Sequence, residues 1–248
     1  STTTFNVLSS GGATIASGSF SPGAGAEIAV QYPAGGAAGD AVTVTLSPGS
    51  AAAGDGFVLT PGGPGSNGNI AALAGHKDHA TLLRAAKIVA AQRQDVEFVI
   101  VGEGALKENL LRLRNELGLV NVVHFTGFIP QAQRWLPGFD VFAMSSQMEG
   151  LGTIVLDAAQ AGVPVAATAG GGLPEAVLHE ETGLLAPVGD AENLASAILC
   201  LLSESALAAR LAQTAQNRVR MDFSVARMAQ SYLEIYFEIA GKNRQSAC

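Results

Sequence analysis

Basic residues are missing from the first 76 positions of this 248-residue chain. All 14 lysines and arginines lie from Lys77 onward, and only Glu27, Asp40 and Asp55 carry charge ahead of it. The remainder holds 21 − 3 = 18 acids against 14 bases, so it contributes −4 of the total formal charge of −7. An acidic chain without a Lys/Arg-rich patch excludes nucleic acid as the main partner, because binding a phosphate backbone needs clustered cations. A single nucleotide is not excluded. Cysteine is equally scarce: Cys200 falls in an apolar helical pattern and Cys248 is the last residue, a spacing that fits neither a disulfide framework nor a metal site. Two free thiols in a reducing cytoplasm are expected. No apolar run reaches the roughly 18 residues that span a bilayer, which excludes a transmembrane segment, and the first residues lack the basic, apolar, small order of a signal peptide.

Two regions of different texture follow. Residues 1–60 are rich in Gly, Ala, Ser and Thr, with short alternating or β-branched pieces at FNVL, ATIASGSF, EIAVQY, AVTVTL and GFVLT. They read as a small β-type module or a flexible segment. The run PGGPGSNG, residues 61–68, has the composition of a linker. From residue 69 to 248 apolar strands alternate with amphipathic helices, the pattern of an α/β, Rossmann-like doubly wound parallel sheet. Strands are expected at Ile70–Leu73, Glu97–Val101, Val122–Thr126, Val141–Met144, Pro164–Thr168 and Leu184–Ala186. Apolar stripes at Leu82, Ala86, Val89 and Ala90, and at Leu194, Ala197, Ile198, Leu201 and Leu202, have core-facing helical spacing. Met228, Tyr232, Ile235, Tyr236 and Ile239 make a third stripe on a last helix after Asp222.

The chemistry concentrates beyond the C-terminal ends of the strands, where such sheets bind ligands. Glu149 follows the strand Val141–Met144, and the next helix is expected to start near Gly152 or Thr153, with Asp157 in about its first turn. Between the acids, Gly150, Leu151, Gly152 and Thr153 can offer unpaired backbone N–H groups which, with the helix dipole, suit a phosphate. At about 1.5 Å per residue the eight positions from Glu149 to Asp157 span roughly 12 Å, comparable to the reach from a ribose to a sugar joined through a diphosphate. Two solvated charges, with Asp157 favouring the helix dipole, are the plainer alternative. Gly170-Gly171-Gly172 follows Pro164–Thr168 and would let backbone approach a ligand closely. Lys77, at the first strand-to-helix junction with Asp78 as a helix cap, can neutralise a diphosphate and stabilise a leaving group. Gly102-Glu103-Gly104 opens like a dinucleotide fingerprint, but Lys107 stands where its third glycine belongs. His76 and His79 have no Glu or Cys partner at ligand spacing, so no metal site is expected.

In this order, KDHATLLRAA, FVIVGEG, VVHFTGFIP, EGLGTIVLDA, AGVPVAAT, GGLPEAV and ETGLLAPVGDAENLASAI make the chain similar, from about Asn69 to Ile239, to the C-terminal donor-binding domain of retaining GT-B glycosyltransferases of the family-4 type. The resemblance implies that Glu149 and Asp157 are the ends of the E-x7-E motif, the first contacting the donor sugar and the second the ribose. It also implies that Gly150 to Thr153 and the Gly171-Gly172 turn offer N–H groups to sugar and diphosphate, that Lys77 contacts the phosphates, and that Gly127, Phe128 and Ile129 line the base. The substrate would be a UDP- or GDP-linked sugar, transferred with retention, and no cofactor or metal would be obligatory. Three positions depart from that pattern. Asp157 replaces the usual Glu, Ala72 stands where an Arg is common five residues before Lys77, and residues 1–68 do not match the family's N-terminal acceptor domain. A donor half is therefore expected, with a scaffold or partner-binding module derived from it as the alternative. The stripe on the last helix would then be covered by an N-terminal domain or by a second copy in a homodimer.

Overall fold

The computed structural model describes residues 3–8, 14–20, 43–46 and 65–245, with side chains placed at 65–237 and 239. Near the N-terminus, β1 (Thr3–Leu8), β2 (Thr14–Phe20) and β3 (Thr43–Leu46) form an antiparallel sheet in the order β2-β1-β3. Its register runs from Thr3 opposite Phe20 to Val7 opposite Ala16 on one side, and from Phe5 opposite Leu46 on the other. These are the strands expected at FNVL, ATIASGSF and AVTVTL. The pieces EIAVQY and GFVLT, and residues 61–64 of the expected linker, lie outside the described residues.

A six-stranded parallel sheet follows, in the order β6-β5-β4-β7-β8-β9. It comprises β4 (Ser66–Ile70), β5 (Glu97–Val101), β6 (Val123–Gly127), β7 (Val141–Met144), β8 (Val165–Thr168) and β9 (Leu184–Ala186). Between and after them run α1 (His79–Gln92), α2 (Lys107–Glu116), α3 (Thr153–Gln160), α4 (Leu173–Ala176), α5 (Ala191–Ser203), α6 (Ser205–Asp222) and α7 (Val225–Gln245). Alternation along the strands divides the core between two faces. Phe98, Ile100, Val141 and Ala143 join Leu82, Val89, Leu194 and Ile198 of α1 and α5, while Val99, Val101, Phe142 and Met144 join Val155 of α3 and Leu173 of α4. Burial on both faces is what made these strands legible as short apolar runs.

The strand expected at Ile70–Leu73 is displaced: β4 begins at Ser66, inside the run read as linker. Ser66 to Ile70 pair in parallel with Glu97 to Val101. An apolar search misses this strand because Ser66, Asn67 and Asn69 are buried yet hydrogen-bonded. Asp140 Oδ2 accepts from the Ser66 N–H at 2.8 Å, and the Asn67 and Asn69 amides donate to the carbonyls of Gly65 and Ala143, each at 2.8 Å. With their amide donors bonded in this way, Asn67 and Asn69 can occupy the centre of a sheet.

Leu82, Ala86 and Val89 are buried as the α1 stripe requires, and so are Leu194, Ala197, Ile198 and Leu201 on α5. On α7 the third stripe has no cover among the described residues: Met228, Tyr232, Ile235, Tyr236 and Ile239 are each more than half exposed. No single helix among the described residues is long and apolar enough to cross a membrane.

Candidate functional site

Chain order reverses between β4 and β7, which are neighbours in the sheet although β5 and β6 intervene in sequence. The crevice beyond the C-terminal ends of two such strands is where a doubly wound sheet takes its ligand. A cleft of about 380 Å³ opens there, lined by Ile70, Lys77, Met144, Glu149, Gly150, Leu151, Gly152, Thr153 and Ile154.

The two charged groups in it are paired. Lys77 Nζ donates to Glu149 Oε1 at 2.5 Å, and both side chains are largely buried. Lys77 ends a short 3-10 turn, Gly75–Lys77, and Asp78 then starts α1 with φ +44, accepting from the Thr81 N–H at 3.3 Å and the Thr81 hydroxyl at 2.7 Å. The expected cap is therefore present. Glu149 sits on the loop between β7 and α3, tied to the Lys77 turn by the Gln147 N–H, which donates to the His76 carbonyl at 2.8 Å.

The start of α3 is open. Its N-cap is Gly152 at φ +69 with no side-chain cap. Among the described residues the N–H groups of Gly150, Leu151, Gly152, Thr153 and Ile154 donate to no protein acceptor. A methyl at Gly152 would lie 2.6 Å from Leu173 Cδ2, so close packing and a left-handed backbone both favour glycine there. Several free donors at the positive end of a helix, beside one lysine, form a receptor for an anionic group.

Asp157 lies slightly further along than expected, in the second turn of α3, exposed and not among the residues lining the cleft. Thr153, four positions earlier, shares its helix face. Partial desolvation holds the Asp157 carboxyl above the usual carboxylate range. The glycine turn differs from the expectation at Gly172. Side chains at Gly170, Gly171 and Gly172 would overlap the carbonyl oxygens of Ser146, Glu149 and Gly150, so these glycines admit the Glu149 loop itself. The Gly172 N–H is occupied, donating to the Glu149 carbonyl at 2.9 Å, rather than free for a ligand. Phe128 and Ile129 follow β6, at the sheet's far edge from β9. Phe128 is 72% exposed, while Ile129 packs against the core around Val101 and Leu136.

Sequence reasoning passed over the residues beneath the site. Ser145, Ser146 and Thr168 are buried and hydrogen-bonded to the two loops. Their signal is a pair of serines closing an apolar strand. His79, read only as a poor metal ligand, is buried with Nε2 3.1 Å from Asn69 Oδ1. Because the Asn69 amide donates to Ala143 O, the network assigns the proton to His79 Nε2. Burial first, and then the Lys77 ammonium, lower its pKa to about 4 against the opposing effect of Asp78. A larger hollow of about 480 Å³ lies among β9, α5 and α6, but it contains none of the expected site residues.

Sheet order, switch point and open helix start define a Rossmann-like α/β domain with a crevice at its switch point. The chain belongs to the glycosyl transferases group 1 family, whose model matches residues 66–218. It is 32% identical over 136 residues to the lipopolysaccharide core biosynthesis glycosyltransferase LpsE of Rhizobium meliloti, covering 55% of this chain and 40% of that one. It is 36% identical over 141 residues to the GDP-mannose-dependent alpha-(1-6)-phosphatidylinositol monomannoside mannosyltransferase of Mycobacterium tuberculosis, covering 52% and 36%. Among solved structures, Anabaena Alr3699/HepE in complex with UDP and glucose superposes with a TM-score of 0.64 at 26% identity, over 70% of this chain and 48% of that one. The chain thus spans less than half the length of these relatives, in keeping with a C-terminal domain of the GT-B fold.

Proposed function

We propose that residues 66 to 245 bind a nucleotide-linked sugar, UDP- or GDP-bound, as the donor half of a retaining hexosyltransferase. The observation that carries this reading is the cleft itself, where the Lys77–Glu149 pair faces the free N–H groups of Gly150 to Ile154. The N–H groups and the α3 dipole receive the diphosphate, and Lys77 adds the positive charge that stabilises a departing phosphate as charge builds on it. Glu149 accepts hydrogen bonds from sugar hydroxyls. Asp157, on the Thr153 face of α3, reaches the ribose, and the exposed Phe128 ring covers the base. The complexed neighbour with UDP and glucose, and the GDP-mannose-dependent relative, support a nucleoside diphosphate sugar without choosing the base.

Calorimetric titration of the chain with a panel of UDP- and GDP-sugars tests the proposal. Binding that disappears in a Glu149→Ala/Asp157→Ala variant is expected; silence from every donor at millimolar concentration overturns it. A second reading, a partner-binding module derived from such a domain, rests on the uncovered apolar residues of α7. It gains ground if the double variant leaves all binding behaviour unchanged.

A further inference from the structure

Glu149 has two carboxylate oxygens, and the structure treats them unequally. Oε1 accepts from Lys77 Nζ at 2.5 Å and from the Ser146 hydroxyl at 2.7 Å. Oε2 has no partner among the described residues, and Glu149 lines the cleft. Ser146 is 1% exposed, and its carbonyl accepts from the hydroxyl of Thr168, itself fully buried at the end of β8, at 2.6 Å. On either side of Ser146 the loop is fastened to the Lys77 turn. The Ser145 hydroxyl donates to the Lys77 carbonyl at 3.0 Å, and Gln147 Nε2 donates to Asp78 Oδ2 at 3.1 Å. Ser145 and Gln147 thus lock the strand end that carries Glu149 to the turn that carries Lys77, and Thr168 braces Ser146 between them from β8.

We infer that Ser146 is a positioning residue that saturates Oε1 of Glu149 together with Lys77, so that Oε2 alone is presented to a ligand hydroxyl. This rests on the nucleotide-sugar reading of the cleft for its ligand, though not for the clamp. A carboxylate held by one donor can rotate and exchange its oxygens; held by two on one oxygen and packed in a buried loop, it presents a fixed acceptor. Ser146 itself is buried and touches Glu149 rather than the cleft, so it acts through the carboxylate.

Two measurements separate the clamp from the ligand it serves. The first is a double-mutant cycle of Ser146→Ala and Glu149→Ala read by urea midpoint, with no ligand added. Coupled effects, the double change lowering the midpoint by less than the two singles together, are expected; additivity overturns the inference. The second is titration of wild type and Ser146→Ala with UDP-glucose, GDP-mannose and the corresponding nucleoside diphosphates. Sugar-nucleotide affinity should fall roughly tenfold, as for loss of one hydrogen bond to a charged group, while nucleoside diphosphate affinity is unchanged. An equal fall for both overturns the positioning role. Should Ser146→Ala fail to fold, Thr168→Val, which removes the brace one bond further back, must show the same selectivity in weaker form. A coupled cycle in a wild-type chain that binds none of the four ligands overturns the proposed function and leaves the clamp standing.

Discussion

Helices α3 and α5 both follow a strand of the same sheet, and they begin in opposite ways. At α5, Asp190 takes the N–H of Asn193 at 2.9 Å and its side-chain amide at 2.6 Å. At α3, Gly152 offers no side chain and the preceding loop leaves its donors unpaired. Capping is the ordinary way to satisfy a helix start, and a helix left without it leaves donors for water or a ligand. Helix α1 follows the α5 pattern, closed by Asp78, with the ring of His79 buried beside the cap. Of the two helices that flank the switch point, only the one after β7 is open, and that is where Glu149 lies.

The largest effect on this contrast is expected from Gly172→Ala. The added methyl has no room beside the Gly150 carbonyl and would push apart the turn and the loop that keep α3 open. Such overpacking against backbone should cost about 2 to 3 kcal/mol. Gly118→Ala is the control: its φ is +74 but its methyl meets nothing within 4 Å, so only the left-handed backbone penalty of about 1 kcal/mol applies. Urea unfolding compares the two, and equal losses would refute the steric account.

The buried ring at the start of α1 should be visible in the pH dependence of stability. His79 has a folded pKa of about 4 against 6.5 for the free side chain. Between those values the unfolded chain binds a proton that the folded chain refuses. Its contribution is therefore whole above pH 6.5 and falls by about 1.4 kcal/mol per unit as the pH drops toward 4. Replacing His79 with Gln, which keeps a donor but cannot titrate, should flatten that part of the curve in urea unfolding. An unchanged slope would show the ring to be protonated in the fold.

Much of this frame was legible in the chain. The strands at Glu97–Val101, Val141–Met144 and Leu184–Ala186 have the residues expected, because burial on both faces writes a run of Val, Ile and Phe. Helix α3 starts where Gly150-Leu151-Gly152-Thr153 suggested. What escaped was carried by polar residues whose worth depends on a partner distant in sequence. Asn67 and Asn69 look unlike a central strand until the carbonyls of Glu97 and Ala143 accept from their amides. Ser146 looks like loop until Thr168, at the end of β8, donates to its carbonyl. The three glycines suggest room for a ligand, and the structure fills that room with the neighbouring loop. Neither partner nor neighbour is local, so pattern alone could not supply them.

Glu149→Gln bears on the open side of the contrast. The neutral amide keeps the shape but loses the ion pair with Lys77 and the charge on the acceptor facing the cleft. Affinity for the sugar nucleotide that binds best should fall about tenfold or more, the usual scale for a charge-assisted hydrogen bond. Titration at two salt concentrations checks it. A variant that binds as well as wild type would remove Glu149 from the ligand and make the pair with Lys77 a purely structural bond.

The smallest effect belongs to the sealed helix. Asp190→Ala removes the α5 cap and leaves the Asn193 N–H to water, where exposure makes the loss mild. The carboxyl is held below the usual range, first by the Asn193 backbone N–H, so its share of stability is present above the free carboxylate pKa and disappears as the pH falls through the lower folded value. At neutral pH a drop of only a few degrees in melting temperature is expected. Nucleotide-sugar affinity should not change, because α5 begins after β9, at the opposite end of the sheet from β6 and outside the cleft. An affinity loss matching that of Glu149→Gln would mean that opening any helix start disturbs the site, and the difference between α3 and α5 would lose its functional meaning.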